Sequence, residues 1–306
     1  MKVLHINDQA GVSCILAKYQ RRNGIESKVL SSYNMDKFGI LKFYKDYVNV
    51  VKPADFVDYC ISEAKNADII HIHSNEALIF TIRKIFGNSK KIILHYHGTD
   101  IRGFKNKNSS KISIFQNITN KKKLFVHKIK NRLWLVKRGY YKSFSTESQK
   151  LANDILVATP DLLTLVPHAK YLPNPIDLDH FSKRNDDNYN RSINNALAIK
   201  TATGDIQKTL EYCKTNNVRL KIDIFDRTKT PLWYEEIPNF LKKYDIYVDV
   251  RIVNDKILEN YSKTSLESLA CGLKVLNYKL EYIDRLPEIH YPVNVVSQLE
   301  NIYNKL

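Results

Sequence analysis

Short apolar runs rich in β-branched residues recur along the chain. Between them lie stretches whose apolar positions return every three or four residues. The first run, Lys2-Val3-Leu4-His5-Ile6, stops at Asn7-Asp8-Gln9-Ala10-Gly11, and a helical pattern follows through Leu16, Tyr19 and Arg22 to Gly24. A second strand fits residues 27–30, and helical stretches come after it. Residues 68–74 and 91–98 are two further β-branched runs bracketed by helix-like segments, and residues 155–160 and 170–173 read as the last strands of this half. Strands alternating with helices predict an α/β protein with a mostly parallel, doubly wound sheet.

Pro173-Asn174-Pro175 breaks the pattern, and residues 177–195 are rich in Asp, Asn, Arg and Ser, as a linker is. The alternation then resumes. Strands are predicted over 196–200, 220–225, 246–250 and 274–277, and helices over 206–214, 233–243 and 262–270. The expected organisation is a first domain over 1–175, a linker over 176–195 and a smaller second domain over 196–306, with the last helix packing back on the first domain. Doubly wound sheets bind ligands outside the carboxyl ends of their strands, so two facing domains would hold a ligand in the cleft between them.

Composition narrows the class. Of 306 residues, 43% are apolar and 26% charged, which excludes disordered and collagen-like chains. No apolar run approaches the roughly 18–20 residues of a membrane helix and no signal sequence opens the chain, so the expectation is a cytoplasmic protein. Cys14, Cys60, Cys213 and Cys271 are scattered, with no Cys-x-x-Cys pair, and read as reduced. None of the 9 glycines forms Gly-x-Gly-x-x-Gly or a P-loop.

The net charge of +16 is concentrated: residues 102–150 hold 14 Lys and Arg against one acid, Glu147. Within that stretch Lys121, Lys122, Lys123, Arg132, Lys137 and Arg138 alternate with large apolar residues, Trp134 among them, as segments lying on anionic lipid do. Three readings stay open: a membrane-facing surface at the inner leaflet, a solvated basic face, and a patch for a polyanionic acceptor or nucleic acid.

Candidate chemistry comes from histidines and carboxylates. His71 and His73, and likewise His95 and His97, sit two apart on predicted strands, so each pair shares a sheet face. No Asp, Glu or Cys accompanies them in a metal-binding motif, and the expectation is no metal. His97 stands at a strand end, before Gly98-Thr99-Asp100, where such sheets expose functional groups. Ser262-Lys263-Thr264-Ser265 reads as a helix start whose N–H groups, with Lys263, suit phosphate oxygens. That start leaves Glu259 in a loop and Glu267 in the helix. A helix running from Ile257 would instead set the two carboxylates about 12 Å apart along its axis.

Glu259-x7-Glu267, followed by Ser268-Leu269-Ala270-Cys271-Gly272-Leu273-Lys274-Val275, resembles the donor-site motif of retaining glycosyltransferases with the GT-B fold, glycosyltransferase family 4 in particular. The loop from Asn7 to Ser13, His97-Gly98-Thr99-Asp100-Ile101-Arg102-Gly103 and Leu172-Pro173-Asn174-Pro175-Ile176-Asp177 are similar to the same family in the same order. The resemblance implies two Rossmann-like domains facing across a cleft and a hexosyltransferase-type enzyme. It would move a sugar from a nucleotide sugar to a glycan, lipid-linked or protein acceptor, with no metal or other cofactor. It further implies that Glu259 holds donor-sugar hydroxyls, Glu267 the ribose, and His97 the sugar near the reacting carbon. Gly11, Lys200, Lys263, Thr264 and Ser265 would complete donor binding. Two departures from the family pattern stand out. Ala10-Gly11 replaces a Gly-Gly pair, and Lys200 matches only one of two expected cations, the other falling to Arg227, Lys229 or Lys263. The alternatives are a nucleotide-sugar-binding protein with reduced catalysis and a basic nucleic-acid-binding protein.

Overall fold

The computed structural model describes residues 1–98, 100–102, 141–183, 195–200, 204–227, 229–253 and 255–306. Lys121, Lys122, Lys123, Arg132, Lys137 and Arg138, with Trp134 among them, lie outside the described residues. The first sheet has seven strands: β1 (Lys2–Ile6), β2 (Glu26–Ser32), β3 (Val48–Val51), β4 (Ile69–His73), β5 (Lys91–Tyr96), β6 (Asp154–Val157) and β7 (Lys170–Tyr171). Their order is β3-β2-β1-β4-β5-β6-β7, with every pairing parallel. The central strand β4, Ile-Ile-His-Ile-His, is buried at every position, as a parallel strand covered on both faces must be. The strand order reverses between β1 and β4, which opens the crevice at their carboxyl ends.

Around this sheet lie α1 (Val12–Arg22), α2 (Ile40–Phe43), α3 (Phe56–Asn66), α4 (Ala77–Phe86) and α5 (Tyr141–Leu151). β3 falls in a region whose pattern predicts only helical stretches. At the sheet edge two of its four residues are exposed, which erases the two-residue alternation.

The second sheet runs β14-β13-β10-β8-β9. β8 (Asn195–Lys200), β9 (Lys221–Asp226), β10 (Ile246–Val248) and β13 (Lys274–Leu276) are parallel, and β14 (Tyr282–Ile283) closes one edge antiparallel. A small hairpin, β11 (Ile252–Val253) with β12 (Lys256–Ile257), precedes the candidate donor segment. The helices are α6 (Ile206–Thr215), α7 (Ile237–Leu241), α8 (Lys263–Ala270) and α9 (Pro292–Tyr303). One helix is expected over 233–243. The chain instead makes a 3-10 turn at Tyr234–Glu236 and then the short α7, because Pro238 lacks the N–H a helix interior needs and fits only near a helix start.

The two sheets share one apolar core. Val3, Ile69 and Ile93 of the first and Leu197, Tyr247 and Val275 of the second belong to a single buried cluster, joined by Val295, Val296 and Leu299 of α9. α9 packs on α1 of the first sheet. Asp177, at the start of the polar stretch, is fully buried: Lys18 Nζ donates to both its carboxylate oxygens at 2.8 Å and Tyr44 Oη donates at 2.8 Å. Four residues on, Phe181 is 1% exposed. Among the described residues no helix is long and apolar enough to cross a membrane.

Candidate functional site

α8 starts at Lys263, with Ser262 as its cap: Ser262 Oγ accepts from the Ser265 amide at 3.0 Å. Glu259 therefore sits in the loop before the helix and Glu267 within it. Ser265 is spent on the turn, its Oγ donating to the Ser262 carbonyl at 2.7 Å, while Thr264 stays partly open at the first turn. The first N–H groups of a helix have no intrahelical acceptor, so this end attracts anions.

Lys263 reaches across to the first domain and donates to the Ala10 carbonyl. Gly11 faces the same ammonium: a Cβ at Gly11 would stand 3.2 Å from Lys263 Nζ. The Gly11 amide donates to Asp8 Oδ2 at 2.5 Å, and the other Asp8 oxygen accepts from the Ser13 amide at 3.0 Å and its hydroxyl at 2.6 Å. Asp8 thus occupies the anion-seeking start of α1, and Gly11 serves the site by admitting Lys263 rather than by offering its own N–H.

Glu267, one turn along α8, is buried, with Oε1 3.9 Å from Lys263 Nζ. Burial pushes its carboxyl up to about 7, against the pull of Lys263 and Arg227. Arg227 follows β9, and its guanidinium lies 3.9 Å from the centre of the Phe38 ring of the first domain. Of the three cations left open by the sequence, Arg227 and Lys263 are the two that act on Glu267. Lys200, at the end of β8, is instead paired with Asp226 at 2.8 Å.

His97 follows β5. The Asp100 carboxylate accepts from the His97 amide at 2.9 Å, the Gly98 amide at 2.7 Å and Ser74 Oγ at 2.6 Å, which fixes the turn. Burial lowers His97 to about 4 although Asp100 and Asp8 pull the other way, and Lys263 adds to the lowering. His97 is neutral at physiological pH, and Asp8 and Lys263 are close enough to act on it. His97, Gly11, Lys263, Glu267 and Arg227 therefore form one site at the carboxyl ends of both sheets.

Glu259 lies to one side. It is exposed and lines a cavity of about 200 Å³ with Thr159, Tyr171, Asn174, Tyr278 and His290, residues of both domains. The neighbouring Asn260 crosses the gap, its Nδ2 donating to Asp161 Oδ1 at 2.7 Å, while Arg102 donates to the same carboxylate at 2.8 and 2.9 Å. No motif marks Asp8 or His5 in the sequence. The even spacing of His5 with Val3 on β1 gains meaning only because β1 pairs with β4, where His5 stands beside His71.

No protein-family model and no curated protein matches the sequence. Solved structures resemble it in fold. The lipopolysaccharide outer core galactosyltransferase WaaB in its apo form aligns with a TM-score of 0.55 at 10% identity, covering 100% of both chains. An alpha-glucosyltransferase in complex with UDP and a 13-mer DNA containing a central A:G mismatch aligns at 0.52 and 12% identity, over 99% of this chain and 88% of that one. The sucrose-phosphate synthase of Thermosynechococcus elongatus aligns at 0.51 and 9% identity, over 90% and 80%. The chain has the GT-B fold of glycosyltransferases, with two Rossmann-like domains.

Proposed function

We propose that the protein is a retaining glycosyltransferase, of hexosyltransferase type, that takes a nucleotide sugar in the cleft between its sheets. The observation that carries this reading is the convergence of Lys263, Arg227 and Glu267 of the second domain on the Gly11 loop and His97 of the first. Lys263, Arg227 and the start of α8 suit a diphosphate, and Glu267 in its ionised form suits the ribose diol. Neutral His97 faces the sugar, and Glu259, in the cavity at the start of α8, meets sugar hydroxyls. In the transfer the bond between the anomeric carbon and the diphosphate oxygen breaks. The acceptor oxygen bonds to that carbon on the same face, and its proton passes to the leaving diphosphate. The charge that develops on the diphosphate meets fixed cations and helix N–H groups, so the step draws on electrostatic stabilisation rather than a metal.

UDP is the first donor nucleotide to try, since the similar alpha-glucosyltransferase is in complex with it, and acceptors to screen are glycans, lipid-linked glycans, proteins and DNA. A nucleotide at about 100 times its Kd should stabilise the fold by roughly 2.7 kcal/mol, read as a thermal shift. Glu267→Ala should abolish the shift, and His97→Ala or Glu259→Ala should abolish transfer while the fold survives. If no nucleoside diphosphate or nucleotide sugar shifts the melting point, the reading is wrong. A second reading, a nucleotide-sugar-binding protein with reduced catalysis, is favoured by the pairing of Lys200 with Asp226, which diverts one phosphate-binding cation. Donor binding without transfer to any acceptor would select it.

A further inference from the structure

Five histidines meet on one face of the first sheet because of its parallel register. His5 stands beside His71 across β1 and β4, and His73 beside His95 across β4 and β5. Side chains two apart share a face, so His97 joins them just beyond β5. The first four are buried and His97 is partly so.

Their contacts form two chains that both begin at Gln20. In the first, His5 Nε2 lies 2.8 Å from Gln20 Oε1, His5 Nδ1 lies 3.0 Å from His73 Nε2, and His73 Nδ1 lies 3.0 Å from His97 Nε2. A carboxamide oxygen only accepts, so His5 carries its proton on Nε2. Neutral His5 then accepts at Nδ1, His73 is protonated on Nε2, and the lone pair of His73 Nδ1 points at His97. In the second chain Gln20 Nε2 donates to Tyr303 Oη at 3.4 Å, Tyr303 Oη lies 2.9 Å from His71 Nδ1, and His71 Nε2 lies 3.2 Å from His95 Nδ1. This chain ends at His95 Nε2, which is buried with no hydrogen-bond partner among the described residues.

The geometry points to a divalent transition-metal site at His73, His95 and His97, which takes a late first-row ion such as Zn²⁺. One ring nitrogen from each lies within 4.8 Å of the others. Tetrahedral zinc with bonds of about 2.0–2.1 Å holds its ligand nitrogens roughly 3.3 Å apart, a small adjustment for three side chains. Neutral imidazoles suit zinc, copper and nickel, and three of them leave a fourth position for water. His73 turns the lone pair of Nδ1 toward His97, because its one N–H, on Nε2, is held by His5, the outer-shell arrangement that orients metal-binding histidines. The unsatisfied His95 Nε2 would gain a partner. Asp100 and Asp8 favour positive charge at His97, Lys263 opposes it, and the two carboxylates have the larger effects. A second group, His5, His71 and His73, is held within the same distance, but a metal there would take His71 from Tyr303 or His95 and none of the three reaches solvent, whereas in the first group His95 Nε2 is unengaged and the metal replaces the contact of His73 Nδ1 with His97. The want of a neighbouring Cys or carboxylate, which spoke against metal in the sequence, is no obstacle to an all-histidine site. This inference shares His97 with the proposed transfer but rests on the geometry of the histidines, and its test reads metal binding alone.

The test uses the full chain, without a polyhistidine tag, stripped with a chelator and titrated with Zn²⁺ against a chromogenic competitor. One Zn²⁺ per chain is expected. His95→Gln should weaken binding at least about 100-fold, the upper end of what losing an outer-shell partner costs, and His168→Gln, at an exposed position, should leave it unchanged. Co²⁺ on the unsubstituted chain gives a readout that needs no variant: intense visible absorption of a four-coordinate site, displaced by Zn²⁺. Equal zinc affinity in the parent and His95→Gln, or a weak octahedral Co²⁺ spectrum, would overturn the site.

Discussion

At Gly11 the backbone has φ +84°, a conformation that side chains with a Cβ adopt at a cost of about 1–2 kcal/mol, and Lys263 and Ile40 leave 3.2 and 3.4 Å for that atom. Gly11→Ala should lower stability by that order and also push Lys263 aside. A nucleotide titration should then weaken more than the loss of stability accounts for. Asp177 makes a different case. Its buried pair with Lys18 has side-chain exposures of 0% and 11%; Asp177→Ala leaves Lys18 only Asp179, at 2.7 Å, and takes the carboxylate acceptor from Tyr44, so it should cost about 1–3 kcal/mol by chemical denaturation. Lys263 and Glu267 were legible in the sequence, because their separation of four residues is a local property of one helix. The burial of Asp177 was not, since Lys18 and Tyr44, its partners, are more than 130 residues away in the chain.

The histidine-bearing ends of β1, β4 and β5 and the helix α8 give the protein two opposed pH dependences. Burial lowers His5 to about 4, lowers His97 to the same value, and holds His71, His73 and His95 well below the ordinary value, so all five stay neutral in the folded chain. Their contribution is present above the unfolded value of about 6.5 and is lost as pH falls from there toward 4, by up to roughly 1.4 kcal/mol per pH unit for each histidine. Glu267, raised from 4.5 to about 7, works the other way: its contribution is present below 4.5 and lost as pH rises through 7. Five groups outweigh one, so urea midpoints should fall between pH 6.5 and 4. Glu267→Gln should gain stability relative to the parent between pH 5 and pH 8, and an unchanged difference would show that Glu267 is not desolvated. The pairs His71 with His73 and His95 with His97 were legible from their period of two. The union of five was not, because it depends on which strands lie side by side.

The whole molecule is held by one apolar cluster that runs through both sheets, with α9 laid against α1. Unfolding should therefore be one transition, coincident by circular dichroism and fluorescence. Leu299→Ala, in a fully buried position of α9, should lower that single midpoint by the equivalent of about 2–5 kcal/mol rather than release the second sheet alone. By itself the sequence determined the alternation of strand and helix, the two-sheet α/β architecture, the start of the helix at Ser262 and the candidate residues His97, Lys263 and Glu267. Each is written in periods of two or 3.6 residues or in a cap, which involve only neighbours along the chain. Tertiary structure alone decided that β3 and β14 exist as edge strands, that Arg227 rather than Lys200 stands beside Glu267, and that Lys263 closes on the Gly11 loop. It also decided that five histidines share one surface. Those outcomes rest on which segments pair and pack, from 6 residues apart where β14 meets β13 to 283 between Gln20 and Tyr303, and there burial and register, not local pattern, select the partner.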